Sequence, residues 1–293
     1  PSITATIQEG GSIYQAQFNY EQYGEWQGTI LRKAVTVTDK GTVKVEHGAN
    51  YSDENGKNWD AAKELSIIGS EARNIWTVLG DDGSTHYHTA GWNNWTTDDE
   101  NLADISDLFE ELDNEVLDYH NTTSSCYTKN ASLEDGTDDD IKGLINFVRG
   151  KDYFDYDGDC TIDEDRDHML GDVYHSQLVE VGIPNANQAF TNINQESYWR
   201  VKNNYSNFVN SNFNRKNIIY AGANDGMLHA FNAKTGKEEW GFIPPFVIGR
   251  LPIIVNTNLD GKVKGFKGGT NPIFGVDGSP VIHDMFIKGL AED

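Results

Sequence analysis

The densest run of hard-oxygen chemistry in the 293-residue sequence is DYDGDCTIDEDRD, residues 155–167. Asp155, Asp157, Asp159, Thr161 and Asp163 stand at positions one, three, five, seven and nine of a twelve-residue loop. At that spacing an EF-hand-like loop wraps alternate carboxylates and one backbone carbonyl around Ca2+. Without a cation, carboxylates this close repel one another; with one they share a coordination shell. Two positions depart from the pattern. Cys160 stands where glycine eases the turn, and Arg166 where a bidentate glutamate closes the shell. Asp165 or Asp167 is an alternative donor. The set is that of an open, extracellular type of loop, with Kd about 10⁻⁴–10⁻³ M and a structural, clamping role. The competing reading is a solvated acidic loop.

Other chemistry is sparse. His86 and His88 alternate in THYHTAGW, half of a zinc site with no third ligand nearby. Trp92 and Trp95 of GWNNW offer a stacking platform for sugar rings, and core packing explains them equally well. His229 falls in an alternating strand pattern and reads as a strand residue rather than a ligand. Arg149-Gly150-Lys151-Asp152 is an RGD-type sequence whose spacing Lys151 breaks, and Asn94, Asn121, Asn130 and Asn204 head N-x-S/T sequons. Cys126 and Cys160 are compatible with one disulfide or with two separate thiols. No Ser-His-Asp, Cys-His or paired-carboxylate arrangement stands in a strand-end context.

The net charge of −23, from 46 acidic and 23 basic residues, repels phosphate backbones, so nucleic acid is a poor partner. It suits solubility in salt or the holding of hard cations. A hydrophobic fraction of 37% with seven tryptophans is enough for a core. No run of about 18 apolar residues is present, so a membrane-spanning protein is not expected. The opening PSITATIQEGG has neither the basic end nor the apolar stretch of a signal peptide, and it starts at Pro1, which suggests a processed or partial chain.

The elements that must position these residues are mainly strands. SIYQAQF (12–18) alternates with Tyr14, Ala16 and Phe18 on one face, and 30–46 reads as a hairpin turning at Asp39-Lys40-Gly41. WDAAKELSII predicts a short helix before the strand NIWTVLG, which Asp81-Asp82-Gly83 turns. After Thr97 the period changes to that of a helix, with Leu102, Ile105, Leu108, Phe109, Leu112 and Val116 on one stripe. A second helix over 138–149 carries Ile141, Leu144, Ile145 and Val148 and ends at Gly150. From 171 the pattern returns to strands, with DVYHSQLVEVG, NIIYAGANDGMLHAFNAKTGKEEW and GVDGSPVIHDMFI. The Asn-rich 185–217 between them reads as loop, with room for a short strand or helix. Residues 217–242 form one antiparallel meander, turning at Asn-Asp-Gly and Thr-Gly-Lys, with Trp240 returning into the core.

YAGANDGMLHAFNAKTGKEEWGFIPP closely resembles a signature blade of the PilY/PilC family of proteins associated with type IV pilus tips. LINFVRGKDYFDYDGD followed by RDHMLGDVYHSQLVEVG, and then GVDGSPVIHDMFI, are similar to further family segments in the same order. The resemblance implies a mainly β fold, a partial β-propeller of the PilY/quinoprotein-like type with a helical insertion around 98–150. N-terminal blades then cover 1–97, the calcium loop 151–170, and further blades, truncated at the C-terminus, 171–293. It implies a non-enzymatic pilus-biogenesis and adhesion protein of the cell surface, pilus tip, periplasm or outer membrane. Its partners would be minor pilins and a host or abiotic surface, and its Ca2+ loop, Asp155 to Asp163, would modulate pilus extension and retraction. Two alternatives remain open. FNAKTGKEEW also resembles the tryptophan-docking repeat of quinone-dependent dehydrogenases, and a carbohydrate-binding propeller would use Trp92 and Trp95.

Overall fold

The computed structural model describes residues 3–5, 12–19, 27–45, 58–79, 93–111, 137–152, 161, 163–255 and 274–286. The first sheet is a meander of β1 (Ile3–Ala5), β2 (Ser12–Asn19), β3 (Gln27–Val37) and β4 (Val43–Val45), with β5 (Trp59–Asp60) extending the β4 side of β3. The β3–β4 turn closes through Gly41 N donating to Thr38 O (2.7 Å), and Gly41 takes φ 73°, the left-handed backbone that glycine adopts without strain. Tyr14 and Ala16 face the core as their alternation predicts, while Phe18 is partly exposed and packs edge-on against Tyr174.

Helix α1 (Ala61–Ile68) begins where the Asp60 carboxylate accepts from Ala62 N and Lys63 N, and ends at Gly69 with φ 77°. A 3₁₀ turn (Ser70–Ala72) leads into β6 (Ile75–Thr77), followed by α2 (Asp99–Glu111) and α3 (Thr137–Arg149). The helical stripes are confirmed: Ile105, Phe109, Ile141, Leu144, Ile145 and Val148 are buried, whereas Leu112 and Val116 lie outside the described residues, as do Asp81–Gly83. These helices are part of the protein's main core. They pack with Ile75, Trp95, Met227 and Ile243, each fully buried apolar side chain contributing about 1.5–3 kcal/mol.

The second sheet contains β7 (Val179–Val181), followed by two short helices, α4 (Glu196–Lys202) and α5 (Tyr205–Ser211), in the segment expected as loop with room for a short strand or helix. It continues with β8 (Ile218–Gly222), β9 (Leu228–Asn232) and β10 (Glu238–Ile243). Strands β7 to β10 pair antiparallel in chain order, the arrangement of one four-stranded propeller blade. The turns use Gly226 (φ 92°) and Gly236 (φ 76°), the glycines of Asn-Asp-Gly and Thr-Gly-Lys. Strand β6 adds to β10 in parallel, pairing Gly241 with Ile75 and Ile243 with Thr77. Residues expected in the first unit thus complete the last sheet. Short helices α6 (Pro245–Ile248) and α7 (Leu251–Val255) then cap the core.

The two sheets share a second core that includes Tyr14, Ile30, Trp59, Leu65, Ile219 and Phe231, and Trp59 Nε1 donates to Ala233 O at 3.1 Å. The described residues hold two sheets rather than a closed ring of blades. Two expectations are corrected. Trp240 is only half-buried, packing against Trp76 and Tyr220 on one face of the second sheet instead of between sheets. Residues 274–286 form no strand. Their polar contacts go to scattered groups, such as Val276 N to Ala223 O and Gln177 N to Ser279 Oγ, so no ladder develops.

The seam between sheets is a backbone contact with no room for side chains. Gly28 N donates to Leu170 O (2.9 Å), and a Cβ on Gly28 would lie 2.1 Å from Gly171 O. A Cβ on Gly171 would lie 2.6 Å from Asp225 N. Gly28→Ala or Gly171→Ala is expected to destabilise by about 1–3 kcal/mol, read as a lowered urea midpoint. Gly278→Ala, which meets open space, should stay within about 0.5 kcal/mol of the parent.

Candidate functional site

The chain leaves α3 through Gly150, whose φ of 118° and 2.7 Å clearance from its Cβ position to Met169 Sδ leave no place for another residue. Lys151 and Asp165 form an isolated antiparallel backbone β-bridge, in which Asp152 N donates to Glu164 O (2.7 Å) and Arg166 N to Gly150 O (2.8 Å). A short antiparallel clasp therefore closes the acidic loop at its base. Of the expected ligands, Asp155, Asp157 and Asp159 lie outside the described residues; Thr161 is half-buried and Asp163 exposed. Cys126, Cys160, His86, His88 and Trp92 also lie outside them. Among the described residues no three His, Cys, Asp or Glu side chains are grouped to hold a metal ion.

The alternative donor Asp165 and the position-twelve residue Arg166 have other tasks. Asp165 Oδ1 accepts from Ser70 N at 3.1 Å, fixing the loop base to the 3₁₀ turn. Arg166 is buried, stacks 4.2 Å from the Phe147 ring centroid and donates to Phe147 O, so position twelve anchors the loop to α3. Asp167 is exposed. The remaining donors, carboxylates and a carbonyl, are chemically suited to a hard cation such as Ca2+.

The RGD-like segment is structural. Arg149 and Asp152 are buried, and the Arg149 guanidinium donates to the carbonyls of Ser70, Glu71, Arg73 and Trp95 and to Asn93 Oδ1. Trp95 is fully buried and unavailable as a sugar platform. The Asn94 amide bonds both backbone groups of Thr77, acting as a strand edge rather than an open glycan acceptor.

A constellation that the sequence reading passed over lies beneath the signature meander. His229 is fully buried, with Nδ1 2.7 Å from Glu238 Oε1 and Nε2 3.0 Å from Asp225 Oδ2. Glu238 forks onto Arg73, whose Nε and Nη2 donate at 2.8 and 2.9 Å. Arg73 also donates to Arg149 O (2.7 Å), and Asp225 accepts from Gly171 N (2.9 Å). The row Asp225–His229–Glu238–Arg73 alternates in sign and ties the turn, two strands and the α3 terminus together.

Burial opposes every charge in this row, and the neighbours override it. Burial would lower the His229 pKa, but Asp225 and Glu238 raise it to about 9. Burial would raise Glu238, but Arg73 and then His229 hold it at about 2. With a carboxylate at each nitrogen, the imidazolium is a fixed cation rather than a proton-transfer group. Beside it Asp172 is raised to about 6, chiefly by burial and against the hydrogen bond from Asn224 Nδ2.

These shifts set a pH dependence. The raised His229 contributes stability that is complete below its ordinary 6.5 and lost as pH rises through about 9. The depressed Glu238 contributes stability complete above 4.5 and lost as pH falls through about 2. Asp172, being raised, favours the acid side of its own window, from 3.8 up to about 6. Thermal midpoints should therefore be highest at mildly acidic pH and fall towards pH 9, with His229→Gln lowering stability and flattening the alkaline limb. Glu238→Gln, which strands Arg73, should cost about 3–5 kcal/mol.

Fold and site together define a β-sheet protein with a blade-type meander, held by a buried ion row and carrying a clasped acidic loop. Residues 170–291 match the family model described as the PilY1 beta-propeller domain. Over 296 residues, 99% of this chain, the sequence is 26% identical to the type IV pilus biogenesis factor PilY1 of Pseudomonas aeruginosa. Over 86 residues, 29% of this chain and 7% of the relative, it is 40% identical to a PilY1 homolog of Xylella fastidiosa. Residues 170–291 are thus similar to the PilY1 beta-propeller domain and nearly the whole chain to PilY1, and the chain spans about a fifth (21%) of the length of the Pseudomonas relative. No solved structure matches it.

Proposed function

We propose that this chain is a non-enzymatic propeller region of a type IV pilus biogenesis factor whose loop, Asp155 to Asp163, takes up Ca2+. Its blades correspond to the first sheet, within 1–97, and to the second, drawn from 171–293 with β6 added from the first unit; the helical 98–150 segment joins them. Minor pilins at the pilus tip are the partners. Calcium uptake shifts the balance between pilus extension and retraction, and with it attachment to host or abiotic surfaces. Biogenesis rests on the relatives, whose names give that role.

The observation that carries the calcium reading is the clasp at residues 150–152 and 164–166. It brings both ends of the loop together while Asp165 and Arg166 pin them to the 3₁₀ turn and α3. A cation held by Asp155, Asp157, Asp159, the Thr161 carbonyl and Asp163 would tighten a loop whose base is already fixed. The base leads through Met169 and Leu170 into the Gly28–Gly171 seam, so loop order can reach the blade. The cation's contribution is charge neutralisation; the protein's residues supply the oxygens and the fixed base.

Addition of about 5 mM calcium is expected to stabilise the chain by about 1–2 kcal/mol, and Asp157→Ala with Asp159→Ala to abolish the gain. The measurement is thermal unfolding with calcium or chelator. The same double variant in the full-length protein should reduce surface pili in calcium-containing medium. Equal melting with calcium and chelator removes the cation from the reading, and normal piliation removes its link to assembly.

A further inference from the structure

The segment between β7 and β8, residues 183–217, differs in chemistry from the rest of the molecule. It has one acidic residue, Glu196, against Arg200, Lys202, Arg215 and Lys216, in a chain whose net charge is −23. It also displays apolar groups in water: Phe190 is 43% exposed, Trp199 45%, Phe208 43% and Phe213 61%.

Part of this display is one contiguous patch. Phe190 and Tyr198 meet edge to face at 5.2 Å between centroids, and Tyr198 and Trp199 likewise at 5.4 Å. The Lys202 ammonium lies 4.8 Å from the Trp199 ring and 5.7 Å from that of Tyr198. The helix that carries them is held by its opposite side. Arg200 is buried and donates to Asp284 O, Asn187 O and the Glu196 carboxylate. Trp199 and Lys202 are therefore presented from a fixed helix. In the same segment Asn192, Asn194, Asn207 and Asn210 are exposed, each carrying an amide that can donate and accept.

We propose that this surface binds an acidic polysaccharide, a chain of sugar rings bearing carboxylates, stacked on Trp199 and Phe190 with its anionic group on Lys202. Aromatic faces stack on the C–H faces of sugar rings, side-chain amides match hydroxyls in both donor and acceptor roles, and the ammonium selects for negative charge. The sign of the partner is set by Lys202: Arg200 and Lys216 pair with Glu196 and Glu239, and Arg215 donates to Gly182 O, so the Lys202 ammonium at the aromatic patch is the group placed to meet an anion. A lipid surface fits less well: inserting these rings would bring the surrounding asparagines to the headgroup boundary and desolvate amides without partners. The site goes beyond the pilus assignment and does not depend on calcium.

The test uses the purified chain in chelator with alginate fragments as the probe, neutral dextran fragments as the control and anionic phosphatidylglycerol vesicles as the rival surface. Affinity is read by tryptophan fluorescence and calorimetry. Alginate should bind at least tenfold more tightly than dextran, with an affinity that falls as salt rises. Trp199→Ala should lower it tenfold or more, Trp199→Phe should keep most of it, and Lys202→Glu should abolish the preference for alginate over dextran. All three variants should melt with the parent. Failure to bind alginate, alginate affinity unchanged in Trp199→Ala, or binding to the vesicles but not to alginate would overturn the proposal. Because chelator is present throughout, these outcomes are separate from those of the calcium experiment.

Discussion

Four charges withheld from water, Asp225, His229, Glu238 and Arg73, lock the signature meander to the segment that leads into β6. Such a row is expensive to desolvate, and it is tolerated because each member faces an opposite charge at hydrogen-bond distance. Arg149 continues it without a carboxylate, drawing on carbonyl oxygens at the ends of helices and strands. Its backbone carbonyl in turn receives Arg73. The α3 terminus, the 3₁₀ turn, β6 and the signature hairpin are thereby fixed relative to one another, and the clasp of the acidic loop inherits its position from them.

What the sequence disclosed was local. Asn-Asp-Gly and Thr-Gly-Lys marked two turns because only certain residues accept left-handed backbone, and Gly226 and Gly236 adopt it. The stripes of Ile105 and Phe109, and of Ile141, Leu144 and Ile145, declared two helices because a 3.6-residue period aims one face at a core. Short helices α4 and α5 were hidden by their asparagines, which favour turns in isolation, and are held by longer contacts such as Arg200 to Asp284 O. The parallel addition of β6 had no local signature.

The site divides in the same way. Alternate aspartates at 155–163 could be read directly, since ligand spacing within one loop is itself a sequence property. The roles of Asp165 and Arg166 could not, because Ser70 and Phe147 meet them only in the folded state. His229 was legible as a strand residue and its surroundings were not. Its partners lie four residues before it and nine after it, and Arg73 is 165 residues from Glu238. The remaining clue was His229 within the strand pattern MLHAF, with Asp225 and Glu238 nearby, a combination that burial makes costly unless opposite charges meet.

The parallel seat of β6 beside β10 also sets a timetable. Ile75 finds its strand partner only when Gly241 exists, 166 residues later in the chain. At about 5–20 residues per second, a nascent chain waits on the order of 10–30 seconds between making the two. Throughout that interval Arg73 lacks the carboxylate that it meets in the folded state. Closure of the second sheet thus follows the arrival of Glu238 and Gly241, the late partners of Arg73 and Ile75.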